Sequence, residues 1–192
     1  EGNAVAAIIA SGLAGASAND AVKTLNLVHI RGRMEMINSN THGTIYVDYA
    51  HNYASLKRLL AFLKRQTNAG KVTVVLGATG DKGISRRPGF GKALTEEQPD
   101  EVILTTDDPG FEDPMTIARE IDSYIDHDKV KHIQFEMDRE TAIKKAIDGS
   151  ENDDIVVLAG KGEDPYQKVN GEDVPYPTDV KIARDYINEL EK

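Results

Sequence analysis

The feature that most constrains the fold is a regular alternation of short apolar segments and amphipathic segments, which begins at Arg31. The apolar segments are rich in Val, Ile and Leu, as strands buried on both faces of a sheet are. Strands are predicted at 34–38, 44–47, 71–76, 101–105, 132–135 and 154–159. Helices are predicted at 55–66, 87–97, 114–125, 139–147 and 178–190. This repeated βαβ order predicts an α/β fold with a Rossmann-like, mostly parallel, doubly wound sheet and helices on both faces.

The first 30 residues do not follow this alternation. They predict two short helices, at 4–13 and 19–25, and a domain boundary near Ile30. The small apolar residues of 4–18 form a run too short to span a membrane, and Glu1 stands where a signal peptide would carry basic residues. Because the chain opens without Met and directly into a helix, we expect it to be a fragment of a longer protein.

The charge balance excludes some classes of partner. The 23 Lys and Arg residues and 32 Asp and Glu residues give a net charge of −9, whereas nucleic-acid binding requires a basic face. We therefore expect no nucleic-acid partner. No membrane partner is expected either, and a monomer is favoured, but the sequence does not determine the oligomeric state. The chain has no cysteine, so it has no disulfide and no thiolate metal site, which is compatible with the reducing cytoplasm. A cytoplasmic location is the prediction.

The turns that follow the predicted strands carry most of the polar residues. In a parallel sheet these turns lie along one edge, where ligands bind. The turns concerned are 48–52, 77–81, 86–88, 107–109 and 160–164. The sequence therefore predicts one polar edge that holds the functional site.

The first of these turns is suited to a nucleotide. Asp48 can accept hydrogen bonds from ribose hydroxyls, His51 and Asn52 can contact a base, and Arg33 can stabilise a transferring phosphoryl group. A structural alternative is that Asn52 or Ser55 only caps the following helix. For Arg33 the alternative is a surface ion pair.

The turn after the fourth strand is acidic. Asp113 and Glu112 are expected to serve the start of the following helix, as N-cap and as a charge beside its positive end. Asp107 and Asp108 lie at the mouth of the strand, where two like charges about 4 Å apart cost about 4 kcal/mol at an effective dielectric near 20. A ligand ammonium would relieve that cost. The alternative is an Asx-turn in front of Pro109.

Two glycine-rich turns complete the edge. In the last turn, 160–164, Gly160 permits close approach of the backbone to a ligand. Glu163 and Asp164 add two carboxylates to the same turn. Metal binding is a rival use for these oxygens, but their spacing matches no calcium loop, so no metal site is predicted. The other turn, 77–80, lacks both common phosphate-loop patterns and is as compatible with a plain tight turn. If ATP is used, another domain must hold most of its phosphates.

Six motifs in order resemble the Mur ligases, specifically their tripeptide-forming MurE branch. They are GRME at 32–35, VDYAHN at 47–52, GATGDKG with SRRP at 77–88, DDPGFEDP at 107–114, DRETAI at 138–143 and LAGKGEDPYQ at 158–167. The resemblance implies an ATP- and Mg²⁺-dependent amide ligase of cell-wall synthesis, and thereby of cell shape and division. Such a ligase adds the third residue of the peptidoglycan stem to UDP-N-acetylmuramoyl-L-alanyl-D-glutamate through an acyl phosphate.

The resemblance also implies a domain organisation and residue roles. Residues 31–192 would be the C-terminal, amino-acid-binding domain, and 1–30 the closing helices of the central ATPase domain, which would hold most of the ATP and Mg²⁺. The fragment alone would be inactive. Arg33 would reach the ATP phosphates and Asp48 the ribose, with His51 and Asn52 nearby. Arg87 would clamp the α-carboxylate of the amino acid. The residues expected to surround the rest of the amino acid are Asp107, Asp108, Pro109, Gly110, Gly160, Glu163 and Asp164.

Two departures from the family pattern bear on the amino acid. Members of this family that add meso-diaminopimelate carry an Asp-Asn-Pro-Arg motif. This chain has Asp108 and Gly110 at the second and fourth positions of that motif. The arginine that would meet a second carboxylate is missing, so L-lysine is the predicted substrate. The alternatives are meso-diaminopimelate, a ligase like folylpolyglutamate synthetase, and a free-standing module that binds a nucleotide or an amino acid.

Overall fold

The computed structural model describes residues 2–25, 30–67 and 70–192, and for residues 2 and 82 the backbone alone. It divides into two compact units, Glu1–Ile30 and Arg31–Lys192. The first unit contains helices α1 (Gly2–Leu13) and α2 (Ala18–Leu25). Its assignment to a central ATPase domain stays a prediction. No helix in the described ranges is long and apolar enough to cross a bilayer.

The second unit is built on a six-stranded sheet. Its strands are β1 (Glu35–Ile37), β2 (Thr44–Asp48), β3 (Val72–Leu76), β4 (Glu101–Leu104), β5 (Ile133–Phe135) and β6 (Ile155–Ala159). They lie in the order β1-β2-β6-β3-β4-β5, and all pairs are parallel except β1 with β2. Every residue of β3 and β6 is buried, because helices cover both faces of the sheet centre. The predicted α/β class and mostly parallel sheet are confirmed.

Chain order explains how the helices divide between the two faces. The helices of this unit are α3 (Tyr53–Leu63), α4 (Arg87–Glu97), α5 (Pro114–Asp122), α6 (Arg139–Asp148) and α7 (Asp179–Leu190). From β2 to β5 the chain crosses the sheet in one direction, so right-handed crossovers put α3, α4 and α5 on one face. The step from β5 back to β6 reverses the direction and puts α6 on the other face, beside α7. Each face has its own apolar core.

The helix starts follow local capping chemistry. Asp113 accepts a hydrogen bond from Thr116 N at 2.8 Å and caps α5, and Asp138 caps α6 through Thr141 N at 2.8 Å. The cap at Asp113 agrees with the sequence prediction for α5. Helix α4 is preceded by a 3-10 turn, Asp81–Arg86, which the sequence patterns did not predict.

A two-stranded hairpin was also missed. Strands β7 (Tyr166–Val169) and β8 (Glu172–Pro175) pair with each other in a separate small sheet. Their turn is Asn170-Gly171, and both residues have a positive φ, 52° and 83°. Asn-Gly between two β-capable segments is a strong hairpin signal, so this element was available from the sequence.

Candidate functional site

The carboxyl ends of β2, β6, β3 and β4 lie side by side and bring the predicted turns together. Gly160 N, just after β6, donates to Asp48 O at the end of β2, at 3.0 Å. Gly77, just after β3, is packed so closely that an added Cβ would lie 2.7 Å from Thr105 O and 2.9 Å from the Asp107 backbone N. The chain leaves β2 and β3 toward one face and β6 toward the other, and in open parallel sheets ligands bind at such a reversal.

Asp48 borders a cavity on the β2 side of the edge. Its Oδ2 accepts a hydrogen bond from Met34 N at 2.8 Å. Partial burial raises the pKa of Asp48, although this hydrogen bond and the charge of Arg33 oppose the rise. The cavity has a volume of about 360 Å³ and is lined by Met34, Asp48, Ser55, Arg58, Leu59 and Phe62. A mostly apolar cleft with a carboxylate at its border suits a ligand that joins a flat ring to a second group carrying hydroxyls.

Arg33 and His51 flank the ring of Tyr49. The guanidinium carbon of Arg33 lies 4.9 Å from the centre of the Tyr49 ring, and the His51 ring centre lies 5.2 Å from it. His51 Nδ1 is 2.9 Å from Tyr49 O. Arg33 is exposed and forms no ion pair among the described residues, so the alternative of a surface ion pair is not found. Its guanidinium is accessible to an anion.

Asn52 has a structural use. Asn52 Oδ1 accepts from Ser55 N at 3.0 Å, and Asn52 N donates to Ser55 Oγ at 3.2 Å, which forms a capping box at the start of α3. Helix α3 therefore begins at Tyr53, two residues before the predicted start. The capping alternative is correct for Asn52, whose amide oxygen is already engaged.

Replacing Asn52 with alanine should lower the free energy of unfolding of the chain by about 1 kcal/mol, because the first turn of α3 loses its cap. Urea unfolding followed by circular dichroism measures the change. The matched control is Asn188→Ala at an exposed position of α7, where less than about 0.5 kcal/mol is expected. Similar losses in both variants would contradict the capping role.

Asp107 and Asp108 share a cation that the chain itself supplies. Lys161 is 1% exposed, and its Nζ lies 2.7 Å from Asp108 Oδ1 and 3.8 Å from Asp107 Oδ1. The rings of Tyr166 and Tyr176 lie 5.6 and 5.7 Å from the same ammonium. The chain therefore supplies part of the positive charge that the sequence analysis expected from a ligand ammonium.

Burial dominates the electrostatics of Asp107. It raises the pKa of the Asp107 carboxyl, and the charges of Arg139 and Lys161 only partly oppose the rise. Lys161 was missed as a functional residue because its turn was interpreted through its glycines. The available signal was a lysine placed directly after a fully buried strand, where a charged side chain needs a partner.

The two carboxylates of the last turn differ in their partners. Glu163 Oε1 pairs with Arg31 Nη2 at 2.8 Å. Asp164 is hydrogen-bonded to Tyr49, and burial raises the pKa of the Asp164 carboxyl despite the charge of Lys161. Asp164 therefore lies beside the aromatic pair of the β2 turn, whereas Glu163 is engaged by a cation.

Arg87 is bound by two glutamates. The residue is 1% exposed, and its Nη1 and Nη2 bind Glu120 at 2.5 Å and Glu112 at 2.8 Å. Arg87 Nε is buried without a hydrogen-bond partner in the described part of the chain, and a substrate carboxylate that reached Nη1 or Nη2 would have to displace a glutamate. The role of α-carboxylate clamp stays a prediction. Arg87 also holds Glu112, whose Oε1 accepts from Asp81 N at 2.5 Å. The motif arginine orders the neighbouring turns.

Pro109 and Gly110 are held between two other segments. Gly80 N donates to Asp108 O at 2.7 Å, and a Cβ on Gly80 would collide with Pro109 O, which is why a glycine stands there. Gly110 N donates to Lys168 O at 2.9 Å, and Gly110 O accepts from Asn170 N at 2.7 Å. The acidic turn is thus joined by backbone hydrogen bonds to the β3 turn and to the hairpin.

Arg139 is a second buried cation that sequence reasoning missed. Its Nη2 lies 2.7 Å from Asp179 Oδ2, and both side chains are fully buried. The same guanidinium donates to Ala159 O at 3.0 Å and to Thr106 O at 3.3 Å. It therefore connects the ends of β4 and β6 to the start of α7. Among the described residues, no group of three or more His, Asp or Glu side chains is placed to hold a metal ion.

The comparisons with known proteins give the family. A family model described as Mur ligase, glutamate ligase domain, matches residues 32–162. The chain belongs to the Mur ligase family. The resemblance inferred from the six motifs is therefore confirmed. The matched segment runs from Gly32, beside the β2 turn, to Gly162 in the last polar turn, so it includes most of the edge described above.

Named Mur ligase relatives are long proteins of which this chain matches a part. It is 98% identical over 192 residues to the UDP-N-acetylmuramyl-tripeptide synthetase of Limosilactobacillus reuteri (strain DSM 20016), covering 100% of this chain and 37% of the relative. It is 47% identical over 189 residues to the UDP-N-acetylmuramoyl-L-alanyl-D-glutamate--L-lysine ligase of Enterococcus faecalis (strain ATCC 700802 / V583), covering 98% of this chain and 37% of the relative.

A solved Mur ligase structure shares the fold. The structure of a UDP-N-acetylmuramoyl-L-alanyl-D-glutamate--2,6-diaminopimelate ligase superposes with a TM-score of 0.76 at 33% identity, covering 98% of this chain and 38% of that chain. The chain thus spans little more than a third of the length of the proteins it matches. Relatives named for two different amino acids share this domain, so the amino acid has to be argued from the site.

Proposed function

We propose that this chain is the amino-acid-binding part of a UDP-N-acetylmuramyl-tripeptide synthetase that adds L-lysine to UDP-N-acetylmuramoyl-L-alanyl-D-glutamate. The supporting observation is the charge at the edge of the sheet. Four carboxylates, those of Asp81, Asp107, Asp108 and Asp164, stand near this edge. The buried cations that act on them are Lys161, beside the last three, and Arg139, which acts on Asp107. The surplus of negative charge favours a substrate that ends in an ammonium and disfavours one that ends in a carboxylate.

The nucleotide belongs to the β2 side of the same edge. In the proposed reaction, ATP converts the substrate carboxylate into an acyl phosphate, which the amine of the incoming amino acid then attacks. The cleft beside Asp48 fits an adenosine, with the carboxylate toward the ribose, and the exposed guanidinium of Arg33 is available to the phosphates. His51 lies beside Arg33 on the Tyr49 ring. Mg²⁺ and most of the phosphate contacts are assigned to a different domain.

The amino acid belongs between the acidic turn and the last polar turn. Asp108, Glu163 and Asp164 retain partial exposure there, but Glu163 is paired with Arg31. Asp107 is almost fully buried behind Lys161. We assign Asp108 and Asp164 to the substrate amine groups, with Gly160 providing close backbone approach at φ 106°. A cytoplasmic location belongs to the same proposal, because the reaction consumes ATP and a UDP-linked substrate.

The test is amide-bond formation by a full-length enzyme in which this chain replaces the matching segment of the L. reuteri relative. With ATP and UDP-N-acetylmuramoyl-L-alanyl-D-glutamate, we expect kcat/KM for L-lysine to exceed that for meso-diaminopimelate by on the order of a hundredfold. L-Ornithine and L-glutamate are the comparison substrates. A preference for meso-diaminopimelate would defeat the lysine assignment, and activity with glutamate alone would favour a ligase of the folylpolyglutamate type.

A further inference from the structure

We propose that Asp81 is a further specificity-determining residue, which adds to Asp108 and Asp164 by reading the side-chain terminus of the incoming amino acid, and that Gly110 is its steric counterpart. This inference rests on the proposed function. The two residues belong to different turns, the one after β3 and the one after β4, and they meet at the edge of the sheet. The expected ligand group is an ammonium on an unbranched side chain.

The backbone of Asp81 is held in a conformation that few non-glycine residues adopt. Its φ is +50°, in the left-handed region. Asp81 N donates to Glu112 Oε1 at 2.5 Å, and Glu112 is in turn bound by the buried Arg87 at 2.8 Å. An ion pair between the buried Arg87 and the partly exposed Glu112 therefore fixes the backbone from which the Asp81 side chain leaves the turn. Such enforced backbone strain is concentrated at functional sites.

The Asp81 carboxylate fills the space beside Gly110. A Cβ placed on Gly110 would collide with Asp81 Oδ2, and the same oxygen lies 3.4 Å from Phe111 N. Gly110 also has a φ of +62°, which favours glycine at that position. Residues 81 and 110 are therefore coupled, because any side chain at 110 must displace the carboxylate.

The carboxylate has the environment of a binding group. Asp81 is exposed, and it forms no ion pair with the side chains that the structure describes, a set that excludes Lys82. The other acids nearby are engaged, since Glu112 binds Arg87 and Asp108 binds Lys161. Asp81 is thus a carboxylate next to the predicted recognition turn, and no side chain that the structure describes forms an ion pair with it. An incoming ammonium would be attracted to it, whereas a carboxylate would be repelled.

The experiment uses the full-length chimeric enzyme described above. In Asp81→Asn we expect kcat/KM for L-lysine to fall roughly tenfold, mainly through a higher KM for lysine, because a charge-assisted contact is lost. The KM for ATP should stay within twofold. Gly110→Ala should give a similar loss by displacing the carboxylate, and the double variant should be no worse than either single one. Asp81→Glu should recover part of the lysine activity.

The control is Asp128→Asn, which removes one exposed acid from the loop before β5 and should leave both KM values unchanged. Unchanged lysine kinetics in Asp81→Asn, or equal losses for lysine and ATP, would overturn the role of Asp81. Fully additive losses in the double variant would overturn the coupling to Gly110. These outcomes are distinct from failure of the proposed function, in which the unmutated chimera itself would not ligate L-lysine.

Discussion

Replacing Lys161 with methionine is expected to lower the free energy of unfolding of the chain by about 3–5 kcal/mol at pH 7, because it leaves buried carboxylates without their cation. Asp108 loses a contact of 2.7 Å, and Asp107 keeps the charge of Arg139 but loses that of Lys161. Methionine preserves the length of the side chain and its packing between Tyr166 and Tyr176. The loss is therefore electrostatic, which urea unfolding at a series of pH values can verify.

The pH dependence follows from the sign of the shift at Asp107. Burial already raises its pKa in the folded chain, and removing Lys161 should raise it further. When the pKa of a carboxyl is raised in the folded chain, the stability that it contributes is present at pH values below the unfolded pKa of 3.8. That stability is lost as the pH rises through the folded pKa. The deficit of Lys161→Met should thus be largest at neutral pH and shrink as the pH falls toward 4.

The matched control is Lys168→Met. Lys168 pairs with Asp173 at 2.5 Å, but both side chains are more than half exposed, so a loss of less than about 1 kcal/mol is expected. If Lys161→Met costs no more than this control, or if its deficit does not change with pH, then Lys161 does not neutralise the aspartates.

Arg139→Met is the other change with a large expected effect, again about 3–5 kcal/mol at pH 7. It leaves the fully buried Asp179 carboxylate without its cation, and it leaves Ala159 O and Thr106 O without a donor. The double variant Arg139→Met with Asp179→Asn should recover part of the loss, because it removes the uncompensated charge. Thermal and urea unfolding of the chain measure both variants.

Arg184→Met provides the comparison for Arg139. Arg184 pairs with Glu35 at 2.7 Å, yet its side chain is 53% exposed, so a cost below about 1 kcal/mol is expected. If the double variant at 139 and 179 is less stable than Arg139→Met alone, the dominant role of the ion pair is refuted and the guanidinium acts through its backbone contacts instead.

The parts of the fold that sequence could predict are those governed by local periodicity and capping. The apolar runs of β3 and β6 and the caps Asp113 and Asp138 depend on residues within a few positions of one another. The clustering of polar turns at one edge then follows from strand direction. The hairpin at Asn170 was missed although its turn signal is local, because no strand was predicted on either side of Asn170-Gly171.

Partner choice among charged side chains could not be predicted in the same way. Lys161 and Asp108 are separated by 53 positions, and Arg87 and Glu120 by 33. Which acid meets which base depends on the strand order, in which β6 is inserted between β2 and β3. Motif resemblance placed Arg87 and Asp108 at the site, but it could not reveal that Arg87 is bound by two glutamates.

The hairpin of β7 and β8 has a consequence for cooperativity. A lone two-stranded ribbon is marginally stable in water, and this one is attached to Gly110 by the hydrogen bonds from Gly110 N to Lys168 O and from Asn170 N to Gly110 O. Melting the ribbon would release the acidic turn, and loosening that turn would deprive the ribbon of its support. The amide protons of Gly110 and Asn170 should therefore exchange with solvent in a single concerted opening.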